Sequence, residues 1–470
     1  MLGFLLLPLA AASSLFPGVV TWGASLSELN TFILKIFKGQ GMLVIGTSSA
    51  SDLHRAALEQ VLGDFPFFNL VTRPHIPIAS VRLDSRDHQR TLTLLTALLR
   101  MPVEFLQHDA IDRADDPVAD GHILQGLRSS SGLIRLQGAW KITKGSPKVH
   151  VMIVDTRVDL EHPDLKGHFW NNASESSGVA GVDDDENGFL DDVHGVNPAR
   201  RDGSVGQPLV SRAHGTHVAG ICAGVAPQVQ LVACTRGSRA MLADCAEYAI
   251  AHGVKIMNYS AGALGCCDPV YRRTFDMLAS HGVVFVTTAG NLGLDLDVET
   301  YQPGSFPSSN VVTVAAADAH GRLPSWSGRG YRAVDIAAPG VNVVSCVPGG
   351  GRARMSGTSM AAPHVAGCLA LMFSTNPNLS ARDAKAILVE TARPVPEARF
   401  ATRAGGVLDC ETAVLRTKDA LSTSSTTSTA PMPPSEAGVV CEHARGERSM
   451  CGYCKTRACC DTLPLCVVRE

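Results

Sequence analysis

Residues 355–373 read MSGTSMAAPHVAGCLALMF, which places Ser359 at the start of a long apolar helix. Before this helix, from about Gly132, short apolar runs alternate with helical stretches and glycine-rich turns. The runs are VHVMIV, VQLVAC, KIMNYS, VVFVTT, VVTVAA and AVDIAA, beginning at 149, 229, 255, 283, 311 and 333. This alternation, which continues to about Asp409, predicts an α/β fold built on a parallel sheet flanked by helices.

Three segments of this region place a reactive polar residue beside glycines at a strand end or at the start of a helix. In folds with a parallel sheet, ligands bind at the carboxyl ends of the strands. Asp155 ends the strand in VHVMIVDTRVDLEHPDL, and His214 opens the helix in AHGTHVAGICAG. Ser359 follows in the third segment. A hydroxyl is a poor nucleophile at neutral pH, so it needs a base and a carboxylate to orient that base. Each residue alone is more often a cap or a packed side chain, so the prediction rests on all three together.

The three segments, in the order Asp, His, Ser, resemble the signature blocks of the subtilisin-like serine proteases. The serine block GTSMAAPHVAG matches over 11 consecutive residues. The resemblance implies a serine endopeptidase that works through an acyl-enzyme. It assigns Asp155 as the orienting carboxylate, His214 as the general base and Ser359 as the nucleophile. No cofactor is expected for the chemistry.

The same resemblance implies an oxyanion donor and a substrate strand. Asn291, in the run TAGN, would stabilise the developing oxyanion through its side-chain amide. The substrate backbone would pair with an extended segment, so proteins and peptides are the expected substrates. The residues of that segment are Ser260, Ala261 and Gly262.

Arg157 departs from the family pattern, in which a glycine usually stands two residues after the triad aspartate. The arginine could point to solvent, shape a pocket for acidic substrates, or disable the triad because a glycine backbone angle is lost. The third outcome defines the alternative function, a catalytically impaired relative that binds peptides without cutting them.

The N-terminal region carries two predicted segments. Residues 1–25 begin with an apolar run and are predicted to be a signal peptide, with a membrane anchor as the alternative. A secreted protein or a membrane-tethered precursor is therefore expected. Residues 26–118 show strand and helix periods in the order β-α-β-β-α-β, which predicts a small ferredoxin-like α+β unit. It is either an independent domain or, as the resemblance implies, a propeptide that inhibits a zymogen.

The catalytic domain is predicted over 119–415, with a Ser/Thr/Pro-rich linker at 416–437 and a cysteine-rich module at 438–470. Six of the 14 cysteines lie in that last module. Disulfides are favoured there because a short secreted module needs covalent support. The spacing Cys451-x-x-Cys454 keeps a zinc site as the alternative. The tail could also be the functional part, docking the protein to a surface or a protein partner.

The loop GVDDDENGFLDDVHGV at 181–196 predicts a structural calcium site. Its oxygen-bearing side chains recur at alternate positions, at Asp183, Asp185, Asn187 and Asp191. A solvated acidic loop is the alternative interpretation. His194 stands where an EF-hand has its closing glutamate, which excludes a complete EF-hand.

The overall composition limits the other functions. The chain has 470 residues, 45% of them hydrophobic, so several domains with a sizeable core are expected. The net charge is only -3 at pH 7, which gives no field that would attract nucleic acid. No nucleic-acid partner is therefore predicted.

Overall fold

The computed structural model describes residues 126–206, 213–265 and 268–424, together with eight short strands outside these ranges. The chain divides into two compact units. One is formed by Met1–Ala110 with Ala430–Glu470, and the other by Ile111–Thr429. Within these described residues, no helix has the length and apolar character needed to cross a membrane.

The first unit contains a five-stranded antiparallel sheet in the order β1-β5-β2-β4-β3. Its strands are β1 (Val19–Thr21), β2 (Met42–Thr47), β3 (Asn69–Thr72), β4 (Ile78–Arg82) and β5 (Val103–His108). Strands β2 to β5 occupy segments that the sequence predicts to be extended. Strand β1 lies within the predicted signal peptide. The two predicted helices between these strands lie outside the described residues.

The second unit is built around a nine-stranded sheet. The strands of this unit are β6 (Arg113–Ala114), β7 (His150–Asp155), β8 (Gly195–Val196), β9 (Gln230–Thr235), β10 (Ile256–Tyr259), β11 (Ala261–Leu264), β12 (Val284–Thr288), β13 (Tyr301–Gln302), β14 (Val311–Ala317), β15 (Ile336–Pro339), β16 (Val343–Val347), β17 (Gly351–Met355), β18 (Arg393–Pro394) and β19 (Gly406–Val407). The order of strands in the large sheet is β18-β19-β15-β14-β12-β10-β7-β9-β8. All neighbours in this sheet are parallel, except that β18 and β19 pair antiparallel. The predicted α/β fold with a parallel central sheet is therefore confirmed.

The described helices all lie in the second unit. They are α1 (Gly126–Leu133), α2 (Leu136–Trp140), α3 (Ala173–Ser177), α4 (His214–Val225), α5 (Arg239–Ala251), α6 (Pro269–Ser280), α7 (Thr358–Thr375), α8 (Ala381–Thr391) and α9 (Cys410–Ser424), with a 3-10 turn at Pro396–Ala398. Helix α9 continues past residue 415, the predicted end of the catalytic domain. Its hydrogen-bonded turns therefore extend the folded unit into the predicted linker. The disulfide Cys234–Cys245 joins β9 to α5.

The core accounts for the mostly apolar sequence of the central strands. Strands β12 and β14 are buried along their whole length, as expected where helices cover both faces of a parallel sheet. Helices α4 and α7 pack against each other on one face, and both are apolar on nearly all sides. A methyl group built on Gly367 would lie 2.6 Å from Cβ of Val225, so the two helices approach as closely as a glycine allows.

The C-terminal tail has one described feature, an antiparallel pair of strands β20 (Cys441–His443) and β21 (Cys466–Val468). Cys441 and Cys466 begin these two strands, whereas the other four cysteines of the module lie outside the described residues, so its disulfides or zinc site stay a prediction.

Candidate active site

Asp155 and His214 form a buried hydrogen-bonded pair at the carboxyl edge of the central sheet. Asp155 is the last residue of β7 and has no exposed surface, and His214 is the first residue of α4. The Nδ1–H of His214 donates to Oδ1 of Asp155 over 2.7 Å. The backbone N–H of Thr156 donates to the same oxygen over 2.6 Å. These contacts fix the imidazole with its other nitrogen available for proton transfer, as a general base requires.

Ser359 is placed at the same edge by the start of α7. It is the second residue of that helix and is fully buried in the structure. Its Oγ donates to the backbone oxygen of Ser260 over 3.4 Å, and Oγ of Ser260 donates to the backbone oxygen of Ser359 over 3.0 Å. Because Tyr259 pairs with Val154 between β10 and β7, Ser260 follows in register with Asp155. The sheet therefore brings the elements of Asp155 and Ser359 together through Ser260.

Asn291 is oriented by its contacts with the residue before Ser359. Its Oδ1 accepts hydrogen bonds from the backbone N–H and the Oγ1–H of Thr358, both at 2.9 Å. With Oδ1 held in this way, Nδ2 lies 3.3 Å from the position of a methyl group built on Gly357. The preceding residue, Gly290, has φ of +83°, a conformation that favours glycine. An amide donor beside the N-terminus of α7 suits an oxyanion.

The predicted substrate segment forms the central strand of a three-stranded sheet. Strand β11, which contains Ala261 and Gly262, pairs antiparallel with β13 on one side. On its other side it pairs antiparallel with β6, where Ala261 faces Ala114 and Gly262 faces Arg113. A segment that precedes the predicted catalytic domain (119–415) in sequence thus pairs with the backbone of the predicted substrate segment.

Arg157 is accommodated without a special backbone conformation. The described non-glycine residues with positive φ are Arg135, Glu186, Asp191, Arg201 and Asn342, and Arg157 is not among them. Its side chain is partly exposed. The family's glycine is therefore not required here by the backbone, and the loss of a glycine angle does not disturb Asp155.

His217 and His364 are packed inside the protein. Nε2 of His217 lies 3.1 Å from the backbone oxygens of both Val343 and Ala353. Nδ1 of His364 lies 2.8 Å from the backbone oxygen of Met360. Burial lowers the pKa of His217 to about 4 and the pKa of His364 to about 4. Both rings are therefore neutral at pH 7 and act as hydrogen-bond donors to the backbone.

The acidic loop assembles a different set of oxygens from the predicted one. Asp183 and Asp185 lie with Glu175 in a group whose nearest oxygens are all within 4.8 Å of one another. A second group of the same kind contains Asp185, Asp192 and His252. Asp191 belongs to neither group, because its carboxylate accepts the backbone N–H of Gly181 at 2.9 Å.

Asn187 links the loop to the buried acid. Its Nδ2 donates to Oδ2 of Asp192 over 3.0 Å, while Tyr248 donates to the same carboxylate oxygen. Burial raises the pKa of Asp192, and burial together with the charge of Asp192 raises the pKa of Glu175. Oε2 of Glu175 is buried and accepts no hydrogen bond from the described residues. A cation in this group would satisfy that oxygen and favour the ionised carboxylates.

The prediction from the sequence missed Glu175 and Asp192 for different reasons. Glu175 lies on α3, outside the loop, so the spacing within the loop cannot reveal it. Asp191 and Asp192 are adjacent, and alternation of side chains selects Asp191. The positive φ of Asp191, +49°, turns the chain so that Asp192 faces inward instead.

The comparisons with known proteins agree with this fold. A family model described as the Subtilase family matches residues 146–425. Subtilisin-like protease 1 of Plasmodium berghei is 30% identical over 325 residues, which cover 62% of this chain and 54% of that protein. Thermophilic serine proteinase of Bacillus sp. (strain AK1) is 35% identical over 256 residues, which cover 51% of this chain and 56% of that protein. The chain thus spans about half the length of the curated relatives it matches.

A solved structure shows the same fold. The crystal structure of fervidolysin from Fervidobacterium pennivorans, described as a keratinolytic enzyme related to subtilisin, matches with a TM-score of 0.61 at 22% sequence identity. The match covers 87% of this chain and 64% of that chain.

Proposed function

Because this chain belongs to the subtilase family, we propose that it is a serine endopeptidase that cleaves proteins or peptides through an acyl-enzyme on Ser359. The observation that carries the proposal is the buried 2.7 Å contact between His214 and Asp155, at the sheet edge where Ser260 contacts Ser359. A base held by a carboxylate, next to a serine at a helix N-terminus, is the arrangement that activates a hydroxyl.

The reaction begins when Oγ of Ser359 attacks the carbonyl carbon of the scissile bond and Nε2 of His214 takes the hydroxyl proton. Asp155 stabilises the resulting imidazolium, and the oxyanion is stabilised by Nδ2 of Asn291 and the backbone N–H of Ser359. The C–N bond then breaks as His214 gives the proton to the leaving amine. Water, deprotonated by His214, hydrolyses the ester by the reverse sequence of steps.

Hydrolysis of an unfolded protein, followed by mapping of the new termini, tests this function. The wild-type chain should cut internal bonds, whereas Ser359→Ala and His214→Ala should be inactive. Asp155→Asn should lose about 10⁴-fold in kcat, because an amide favours the wrong tautomer of the histidine. Release of terminal residues only would contradict the endopeptidase assignment. Peptide binding without cleavage by the wild-type chain would support the impaired alternative.

The zymogen proposal is supported by β6. Because β6 pairs with β11, the chain before the catalytic unit competes with substrate for the same backbone groups. The processed chain should begin after Ala114 and before α1, since α1 leads into Ile134 of the buried core. Sequencing of the N-terminus in wild type and Ser359→Ala tests this, with no processing expected in the variant. A wild-type enzyme that is fully active with its N-terminus intact would contradict it.

Calcium is proposed as a structural ion of the acidic loop. The carboxylates of Glu175, Asp183 and Asp185 would hold it, with Asn187 and Asp192 as nearby oxygen donors, because calcium prefers several oxygen ligands. Its role would be to neutralise a buried acidic group, and it takes no part in the proposed chemistry. The proposed ligands replace Asp191 of the predicted set by Glu175.

Export from the cell is proposed as well. The apolar N-terminus suits a signal for export. The disulfide Cys234–Cys245 suits an oxidising compartment. Fractionation of expressing cells separates a secreted chain from a membrane-tethered precursor. The docking role of the cysteine-rich tail stays a prediction, which deletion of residues 425–470 tests by comparing binding with activity.

A further inference from the structure

Tyr301 lies between the two backbone segments that border the candidate nucleophile. A methyl group built on Gly262 of β11 would lie 2.5 Å from Cε1 and 2.7 Å from Cζ of the Tyr301 ring. A methyl group built on Gly290, next to Asn291, would lie 3.0 Å from Cζ of the same ring. The ring therefore contacts the backbone of a glycine on each side, Gly262 and Gly290. Its side chain is almost fully enclosed, with 3% of the residue exposed.

The ring is fixed in this place by its own strand. Tyr301 pairs with Leu264 in the antiparallel register of β13 and β11, so Gly262 is its diagonal neighbour. The backbone N–H of Tyr301 donates to Oγ of Ser305 over 3.0 Å, and the N–H of Ser305 donates to the backbone oxygen of Tyr301 over 2.7 Å. Two hydrogen bonds and a strand pairing thus oppose movement of the residue.

The gap between Gly262 and Gly290 is where a substrate side chain would enter. A substrate paired with β11 has its reactive carbonyl beside Ser359 and its carbonyl oxygen directed to Asn291. The side chain of the same residue, which becomes the acyl residue, then points either to solvent or between these two glycines. Glycine on both walls leaves room for a side chain there, and the ring of Tyr301 takes up that room.

We infer that Tyr301 closes this pocket and restricts the acyl residue of the substrate to small side chains such as glycine, alanine and serine. The inference rests on the proposed function. A bulky aromatic side chain would have to displace a packed tyrosine, which lowers kcat/KM. One extra group in a filled apolar pocket typically changes discrimination by about 10- to 200-fold. We therefore expect the wild-type enzyme to favour alanine over phenylalanine by at least about 10-fold.

The test compares peptides that differ only in the acyl residue, with glycine, alanine, leucine or phenylalanine before the scissile bond. Tyr301→Gly should raise the ratio of kcat/KM for the phenylalanine peptide to kcat/KM for the alanine peptide by about 10- to 100-fold. Tyr301→Phe keeps the ring and should keep the wild-type preference. Tyr331→Gly is the matched control, because Tyr331 is 55% exposed at the surface, and it should change nothing.

Binding to the inactive Ser359→Ala chain separates this inference from the proposed function. The segment that carries β6 is first removed by limited proteolysis with an added protease, because β6 otherwise occupies β11. Calorimetry should show that adding Tyr301→Gly strengthens binding of the phenylalanine peptide relative to the alanine peptide by about 10-fold or more. If no variant cleaves but this change in binding appears, the proposed function fails and the pocket assignment holds. A wild-type enzyme that prefers phenylalanine overturns the inference, even if Tyr301→Gly does not fold. So does a folded Tyr301→Gly variant with an unchanged preference.

Discussion

Replacing Glu175 by glutamine should change the stability of the catalytic unit in opposite directions with and without calcium. Glu175 is 6% exposed, and its Oε1 accepts the backbone N–H groups of Asp184 at 2.7 Å and Asp185 at 3.2 Å. Glutamine keeps an acceptor for both bonds. The substitution therefore removes one negative charge from the group with Asp183 and Asp185 and leaves the local backbone contacts in place.

Without calcium, the loss of charge relieves repulsion between the buried Glu175 and its neighbouring carboxylates, which should stabilise the unit by about 1 kcal/mol. With calcium at 100 times its Kd, the intact site contributes about 2.7 kcal/mol. A 100-fold loss of affinity on removing one ligand would cancel about 2 kcal/mol of this. The relieved repulsion offsets about 1 kcal/mol of this loss, so the net change in calcium is a loss of about 1 kcal/mol. In a unit of this size each kcal/mol shifts Tm by roughly 2 °C, so Glu175→Gln should lower Tm by about 2 °C in calcium and raise it by about 2 °C in EDTA.

Thermal unfolding followed by circular dichroism, in EDTA and in saturating calcium, measures both effects. Ser359→Ala serves as the background, so that self-digestion does not intervene. Glu397→Gln is the matched control because Glu397 is exposed and outside the group, and it should shift neither Tm. Asp191→Asn should leave the calcium response intact. The reasoning would be refuted if Glu175→Gln lowered Tm by the same amount in both buffers, or if calcium did not raise the Tm of the parent chain.

Three further predictions concern the site and its support. Asn291→Ala should lower kcat by about 10²- to 10³-fold with little change in KM. A rise in KM with unchanged kcat would contradict the oxyanion role. His217 and His364 have pKa values of about 4, below the 6.5 of an unfolded chain, so the unfolded state binds more protons between these pH values. The free energy of unfolding in urea should therefore fall as pH drops from 6.5 to 4, by about 3 kcal/mol per histidine, and a flat profile would contradict their burial as neutral rings. Arg157→Gly should keep kcat/KM within about 3-fold, whereas a gain of 10-fold or more would show that the arginine impairs the triad.

The sequence predicts the elements of the fold and the main residues of the site because both are encoded locally. Continuous apolar runs predict buried parallel strands, and a reactive residue next to glycine at a strand end predicts a place on the carboxyl edge. Strands β7, β10 and β12 and helices α4 and α7 follow these expectations. Asp155 is the last residue of β7, and Ser260 and Asn291 follow the ends of β10 and β12.

Features that depend on contacts between distant segments could not be predicted in this way. Glu175 joins Asp183 and Asp185 through the packing of α3 against the loop, and no spacing encodes that approach. Tyr301 reaches Gly262 and Gly290 only through the pairing of β13 with β11, so its place beside the nucleophile is visible only in three dimensions.

The central claim is that Ser359 is an activated nucleophile, and labelling with a fluorophosphonate probe tests it most directly. The probe forms a covalent bond with a serine only where a base removes the hydroxyl proton. We predict a labelled band in wild type, shorter than the full chain, and no label in Ser359→Ala or His214→Ala. A folded wild-type chain that stays intact and unlabelled in the presence of calcium would contradict the account.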